Sequence, residues 1–334
     1  MNAIVTPMHS VDCRWLLALY AIVPAVLAFV AIDAWVLDGA LLRQYLPSDP
    51  MHWPFWTVIF GLPHIVASLL TMADKEYIGH YRRSLFWPLV LFALIASAGT
   101  FGPQPLSNQA LFVFLGFYTI YHVLAQQLGL TLMMMGTAPT RLFKAWKWLA
   151  IFSAFMIYVT VYASSYLGYE AFGPLSWYDV VAWSAALMCA AVVVLSLRLS
   201  PTSRFPIGRW YLWGNVAMLV STLVVNEIGY TVFVILIPRV IHDVTAYMIY
   251  ISHDNNRNKS GPVNLVYRLT HFTRLPPVVL LPALSVLIAF GLTHYMSYQL
   301  VAVVALTVTF LHYYFEGFIW RNPNPHRQHL AFRR

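Results

Sequence analysis

Four histidines interrupt stretches of this chain that are otherwise strongly apolar: His64 in FGLPHIVAS, His122 in YTIYHVLAQQLG, His242 in IPRVIHDVTAYMIYISHD and His312 in FLHYYFEGF. An ionisable group in hydrocarbon adds on the order of a few kcal/mol to the cost of insertion, so groups kept at depth usually face the protein interior and have a task. Neutral imidazole is the commonest protein ligand for transition metals, and four rings at one level could make an all-nitrogen site. Ligating imidazoles are usually oriented by a carboxylate that accepts the proton of the other ring nitrogen, and Asp243 and Glu316 are the candidates for that role. Arg239 could balance Asp243, four residues on, or pair with Glu316. Gln126 follows His122, and Glu316 follows His312, at the same four-residue spacing, which puts each pair on one helix face.

Each of these residues also has a plainer reading. A single intramembrane histidine commonly joins helices by hydrogen bonding, and Tyr118, Tyr121, Tyr247, Tyr313 and Tyr314 would supply partners. Gln126 and Gln127 read as polar glue, Met133 to Met135 as a helix end, and His253 with Asp254 as a solvated pair at a membrane boundary. His9, His52, His80, His271, His294, His326 and His329 are expected at membrane surfaces or in loops, as is His253. Pro63 and Pro238 each precede a key histidine and could open backbone carbonyls nearby, although prolines are also frequent in membrane helices without a function.

The elements that would hold these residues follow from composition. The 334 residues are 60% hydrophobic and only 10% charged, with a mean hydropathy of +0.67, far from the roughly 25% charged content of soluble domains. An all-α, polytopic transmembrane bundle is expected, forming a single integral membrane domain over residues 1–334. The net charge of +8 is spread between apolar runs and forms no basic stripe, which argues against nucleic acid. Cys13 and Cys189 alone allow neither a disulfide framework nor a cysteine zinc site.

At about 20 residues per span, helices are expected near 15–37, 55–73, 85–101, 109–135, 145–166, 178–198, 210–226, 229–251, 276–296 and 299–320. The first reads as a retained anchor rather than a signal peptide; the seventh and eighth, separated only by residues 226–229, could form one broken element, and Pro238 should kink the eighth. With both termini in the cytoplasm, all but two of the 20 basic residues fall on that side, the exceptions being Arg43 and Arg239. A bacterial inner membrane fits this pattern. Residues 73–84 read as a headgroup-level turn, and the cytoplasmic loop 252–277 is expected to contain an interfacial helix, with Val263, Val266 and Leu269 at helical spacing beside Arg268 and Arg274. Counted from the cytoplasmic ends, His64, His122, His242 and His312 lie about 9, 13, 10 and 9 residues deep, within roughly one helical turn of a common plane.

Di-iron desaturases and hydroxylases carry dense HxxxH and HxxHH boxes, which are absent here. The segment Gly61, Leu62, Pro63 and His64, with the dispersed set of four histidines, resembles the bacterial membrane carotene-cleaving oxygenases of the Brp/Blh type. The resemblance implies mononuclear iron in a helical membrane bundle, with His64 as a ligand; His122 corresponds less closely, and His242 and His312 are not carried over by motif. The expected function is therefore a histidine-ligated iron oxygenase or related oxidoreductase acting on a lipid or isoprenoid, with an electron donor as partner. Glu316, Asp243 and Arg239 would act beside the metal ligands His64, His122, His242 and His312. Two other classes stay open. One is a haem- or quinone-linked electron-transfer protein with histidine axial ligands. The other is a proton-coupled transporter using the His242, Asp243 and Glu316 cluster.

Overall fold

The computed structural model describes residues 8–47, 61–259, 261, 263–321 and 323–334. Among them the chain is almost entirely helical, and eight helices are long and apolar enough to cross a membrane, from Cys13–Trp35 to Gln299–Ile319. On Trp177–Leu199 the residues Trp183, Leu187, Val194 and Leu197 are all exposed. An apolar face of that size is stable against lipid rather than water, which marks an integral membrane protein. The span expected at 55–73 is present as the shorter helix Leu62–Met72, its first residues lying outside the described ones. The seventh and eighth spans are separate helices, Pro206–Glu227 and Val232–Arg257, and the second continues through Pro238.

One expectation is corrected. Residues 75–84 are not a turn but the opening of the helix Lys75–Phe101. Asp74 caps it by accepting the Tyr77 backbone N–H at 2.9 Å, and Glu76 lies in the first turn, where a negative charge favours the helix dipole. The expected short helix in the 252–277 loop is present as Leu265–Thr273, capped by the Asn264 side chain.

The chain divides into two compact units. The first takes the described residues of Met1–Asp12, Phe55–Tyr118 and Asp243–Arg333. Its core joins Ile65, Val66, Phe92, Phe310 and Tyr313, ringed by Phe114, Tyr118 and Leu311. Short strands near the two termini, Ser10–Asp12 and Ala331–Arg333, pair in parallel, and Arg333 reaches Asp12 at 2.6 Å.

The second unit takes the described residues of Cys13–Pro54 and Thr119–His242. Gln127 is its polar hub, accepting the hydroxyls of Tyr211 at 2.5 Å and Tyr20 at 3.3 Å, as glue between helices requires. Gly208 lets its helix lie against the backbone of Met134 and Met135, since a Cβ there would meet Met135 at 2.5 Å. The buried Asp33 carboxylate accepts the backbone N–H groups of Leu41, Leu42 and Arg43 and the Tyr230 hydroxyl, closing the loop after the first span.

Candidate metal centre

In the first unit the helix Leu62–Met72 supplies His64 and Ser68, one turn apart and both buried. Gly61 precedes this helix and Pro63 sits in its first turn, where the missing N–H costs nothing. His64 Nδ1 lies 3.0 Å from Asp243 Oδ1, with both side chains almost fully buried. At that distance the carboxylate and the ring interact electrostatically.

His312 is oriented by a hydrogen bond. Ser68 Oγ lies 2.7 Å from His312 Nδ1 and also 2.7 Å from the Ile65 carbonyl. The hydroxyl has one proton, which the carbonyl takes, so Ser68 accepts from Nδ1–H and the His312 lone pair is on Nε2. The two rings are 5.0 Å apart between centroids and meet edge to face at 73°. Glu316, one turn after His312, offers an oxygen within 4.8 Å of a His312 ring nitrogen and accepts a hydrogen bond from the Tyr250 hydroxyl.

In the second unit His122 and His242 form a comparable pair. Their centroids are 4.8 Å apart at 80°, and ligand nitrogens of the two lie within 4.8 Å of each other. Both rings are buried, and the positive charge of Arg239 in the same unit acts on both. By residue type and burial all four histidines could bind a metal ion. No family model, curated protein or solved structure matches this chain. The assignment of each residue therefore rests on its own geometry.

A second group of buried titratable side chains in the first unit escaped the sequence reading. His253 and Asp254 are not a solvated pair: they are 0% and 1% exposed. His326 is not at a surface but wholly buried, and Tyr77 and Tyr81 are buried with it. His253 Nδ1 meets Asp254 Oδ1 at 2.9 Å and His253 Nε2 meets the Tyr77 hydroxyl at 2.8 Å. The His326 ring stacks on Tyr77 at 3.9 Å and on His253 at 5.0 Å, and its Nδ1 lies 3.1 Å from the Tyr81 hydroxyl. Arg257 covers the other part of this group, its guanidinium 3.5 Å from the Tyr77 centroid and forked onto Asp74 and Glu76.

Burial pushes the Asp74 carboxyl up, but the Arg257 and Tyr77 hydrogen bonds outweigh it and hold Asp74 below the ordinary carboxylate range. Burial, with the nearby His253 and Arg257 charges, drives His326 down to about 2. The sequence signal that could have found this group is the i, i+4 spacing of Tyr77 and Tyr81 behind the capping Asp74.

Proposed function

We propose that this protein is a membrane-embedded oxygenase or related oxidoreductase that binds iron through histidines, with His64 and His312 the ligands offered by the first unit and His122 and His242 those offered by the second. Its substrate is a lipid or isoprenoid, and an electron donor is its partner. The observation that carries this reading is the hydrogen bonding at His312: Ser68 holds the ring as Nδ1–H, so its lone pair lies on Nε2, as in ligating imidazoles whose second nitrogen donates to a fixed acceptor. The Asp243 carboxylate lies 3.0 Å from His64 Nδ1, where it would fill the same role for that ring. The Gly-Leu-Pro-His segment at 61–64 adds the likeness to the carotene-cleaving oxygenases.

Iron would supply redox chemistry toward dioxygen at an open coordination position. The chain itself supplies orientation and dryness. Tyr313 and Phe315 pack against His312 at 5.7 and 5.5 Å, and Tyr313 continues to Tyr118 and Phe310, an apolar wall of rings that suits a long apolar chain. Tyr250 donates its hydroxyl proton to Glu316, which gives the centre one hydrogen-bonded acid group beside the ligands.

Purified protein reconstituted with ferrous iron and given membrane lipids under isotopically labelled dioxygen tests the reading. The expected result is about one iron per chain, no Soret band, and a lipid product that carries the label. A Soret band would replace this reading with the haem protein. Absence of bound metal would return the histidines to transport or to structure.

A further inference from the structure

The helix Lys75–Phe101 changes character at one point along its length. Its lysine, arginine and carboxylate side chains, Lys75, Glu76, Arg82 and Arg83, all precede Ser84, and none follows through Phe101. In a membrane helix such a switch marks the level of the lipid headgroups. The helix also has one inner side. Tyr77, Tyr81, Phe92, Ala96 and Gly99 are buried, and at about 3.6 residues per turn they fall within roughly 100° of one another. Arg82, Arg83, Phe86 and Trp87 are centred roughly 160° away, on the opposite side. All four are exposed, and together they line one open hollow of about 500 Å³.

A lone arginine at a membrane boundary simply reaches past the apolar surface into water. Here two guanidinium groups flank the same hollow, and no acid neutralises them. Glu76, the only acidic residue of the helix, is held by Arg257. Among the described residues no carboxylate is paired with Arg82 or Arg83. Phe86 and Trp87 follow the arginines by one turn, about 6 Å further toward the apolar segment. Two cations and then two aromatic rings is the polarity order of a phospholipid read from its headgroup inward. Guanidinium forks match phosphate oxygens in geometry and charge, and an indole is favoured where one end is wet and the other apolar.

We propose that Arg82, Arg83, Phe86 and Trp87 form a site for one bilayer phospholipid of net negative charge, with its phosphate between the two guanidinium groups and its acyl chains over the two rings. A zwitterionic phospholipid would bring its own ammonium against the arginines, so the site selects by net charge. The site stands on the outer side of one helix, opposite the buried tyrosines, and is independent of the iron reading.

The test is quenching of Trp87 in protein reconstituted into phosphatidylcholine vesicles that contain a minor share of phosphatidylglycerol. Bromine is placed in the acyl chains of one lipid or the other, and the Trp87 share of the emission is the part lost in Trp87→Phe. Molecule for molecule, brominated phosphatidylglycerol should quench that share about tenfold or more better than brominated phosphatidylcholine. The preference should disappear in Arg82→Gln/Arg83→Gln, measured with and without Trp87→Phe. Inorganic phosphate added at constant ionic strength should leave it unchanged. Equal quenching by the two lipids in the unaltered protein overturns the site, and that comparison decides even where the double arginine variant fails to fold. A preference that survives the glutamine substitutions also overturns it, and loss of the preference to inorganic phosphate would replace the lipid with a free anion.

Discussion

The first unit holds two groups of buried histidines, and they differ in the partners that stand beside the rings. At the first are a carboxylate, Asp243 at 3.0 Å from His64 Nδ1, and a hydroxyl, Ser68 at 2.7 Å from His312 Nδ1. Around His253, Asp254 takes one nitrogen and Tyr77 the other, and the ring is stacked against His326. Both groups are equally buried, so burial does not separate them. Their partners do: under the function proposed above the first arrangement suits a ligand, and the second suits a hydrogen-bonded core.

The largest effect expected to sharpen this contrast is at Arg257. Arg257→Ala leaves Asp74 without its fork and Tyr77 without its cation, and breaking such a partly buried pair costs about 3 kcal/mol. The change should appear as a marked loss of thermal stability in detergent with metal binding retained in the protein that remains folded. A loss of metal at unchanged stability would show that the two groups are not distinct.

A smaller effect is expected with pH. His326 is neutral when folded, held down to about 2, whereas an unfolded histidine titrates near 6.5. Between those values the unfolded chain binds more protons, so stability is full above about 6.5 and declines as pH falls below it. Thermal melts between pH 7 and 4 should show this decline in the unaltered protein and a shallower one in His326→Phe. Equal slopes would remove His326 as the cause.

The helices were legible because long apolar runs and the segregation of arginine and lysine are properties of composition, which a sequence displays directly. His64 and His312 were legible because a polar residue in such a run stands out. Asp243 as the partner of His64 was not, because it lies beside His242 in the chain, and only the three-dimensional arrangement shows that it faces another helix. Ser68 was passed over since a serine in a membrane helix carries no signal until its single proton is assigned. The Tyr77, His253 and His326 group was misread for the opposite reason. Its residues lie at helix ends and in the C-terminal segment, where polar side chains are ordinarily solvated, yet Asp74 starts a helix early enough to bury both tyrosines.

The ligand assignment is tested most directly by metal content after iron loading, measured by mass spectrometry on the unaltered protein and on His312→Ala, Glu316→Gln and His253→Gln side by side. The account predicts about one iron per chain in the unaltered protein, loss of metal in His312→Ala, and retention of most of it in the other two. Unchanged iron in His312→Ala, or loss of iron in His253→Gln with the fold intact, would contradict it.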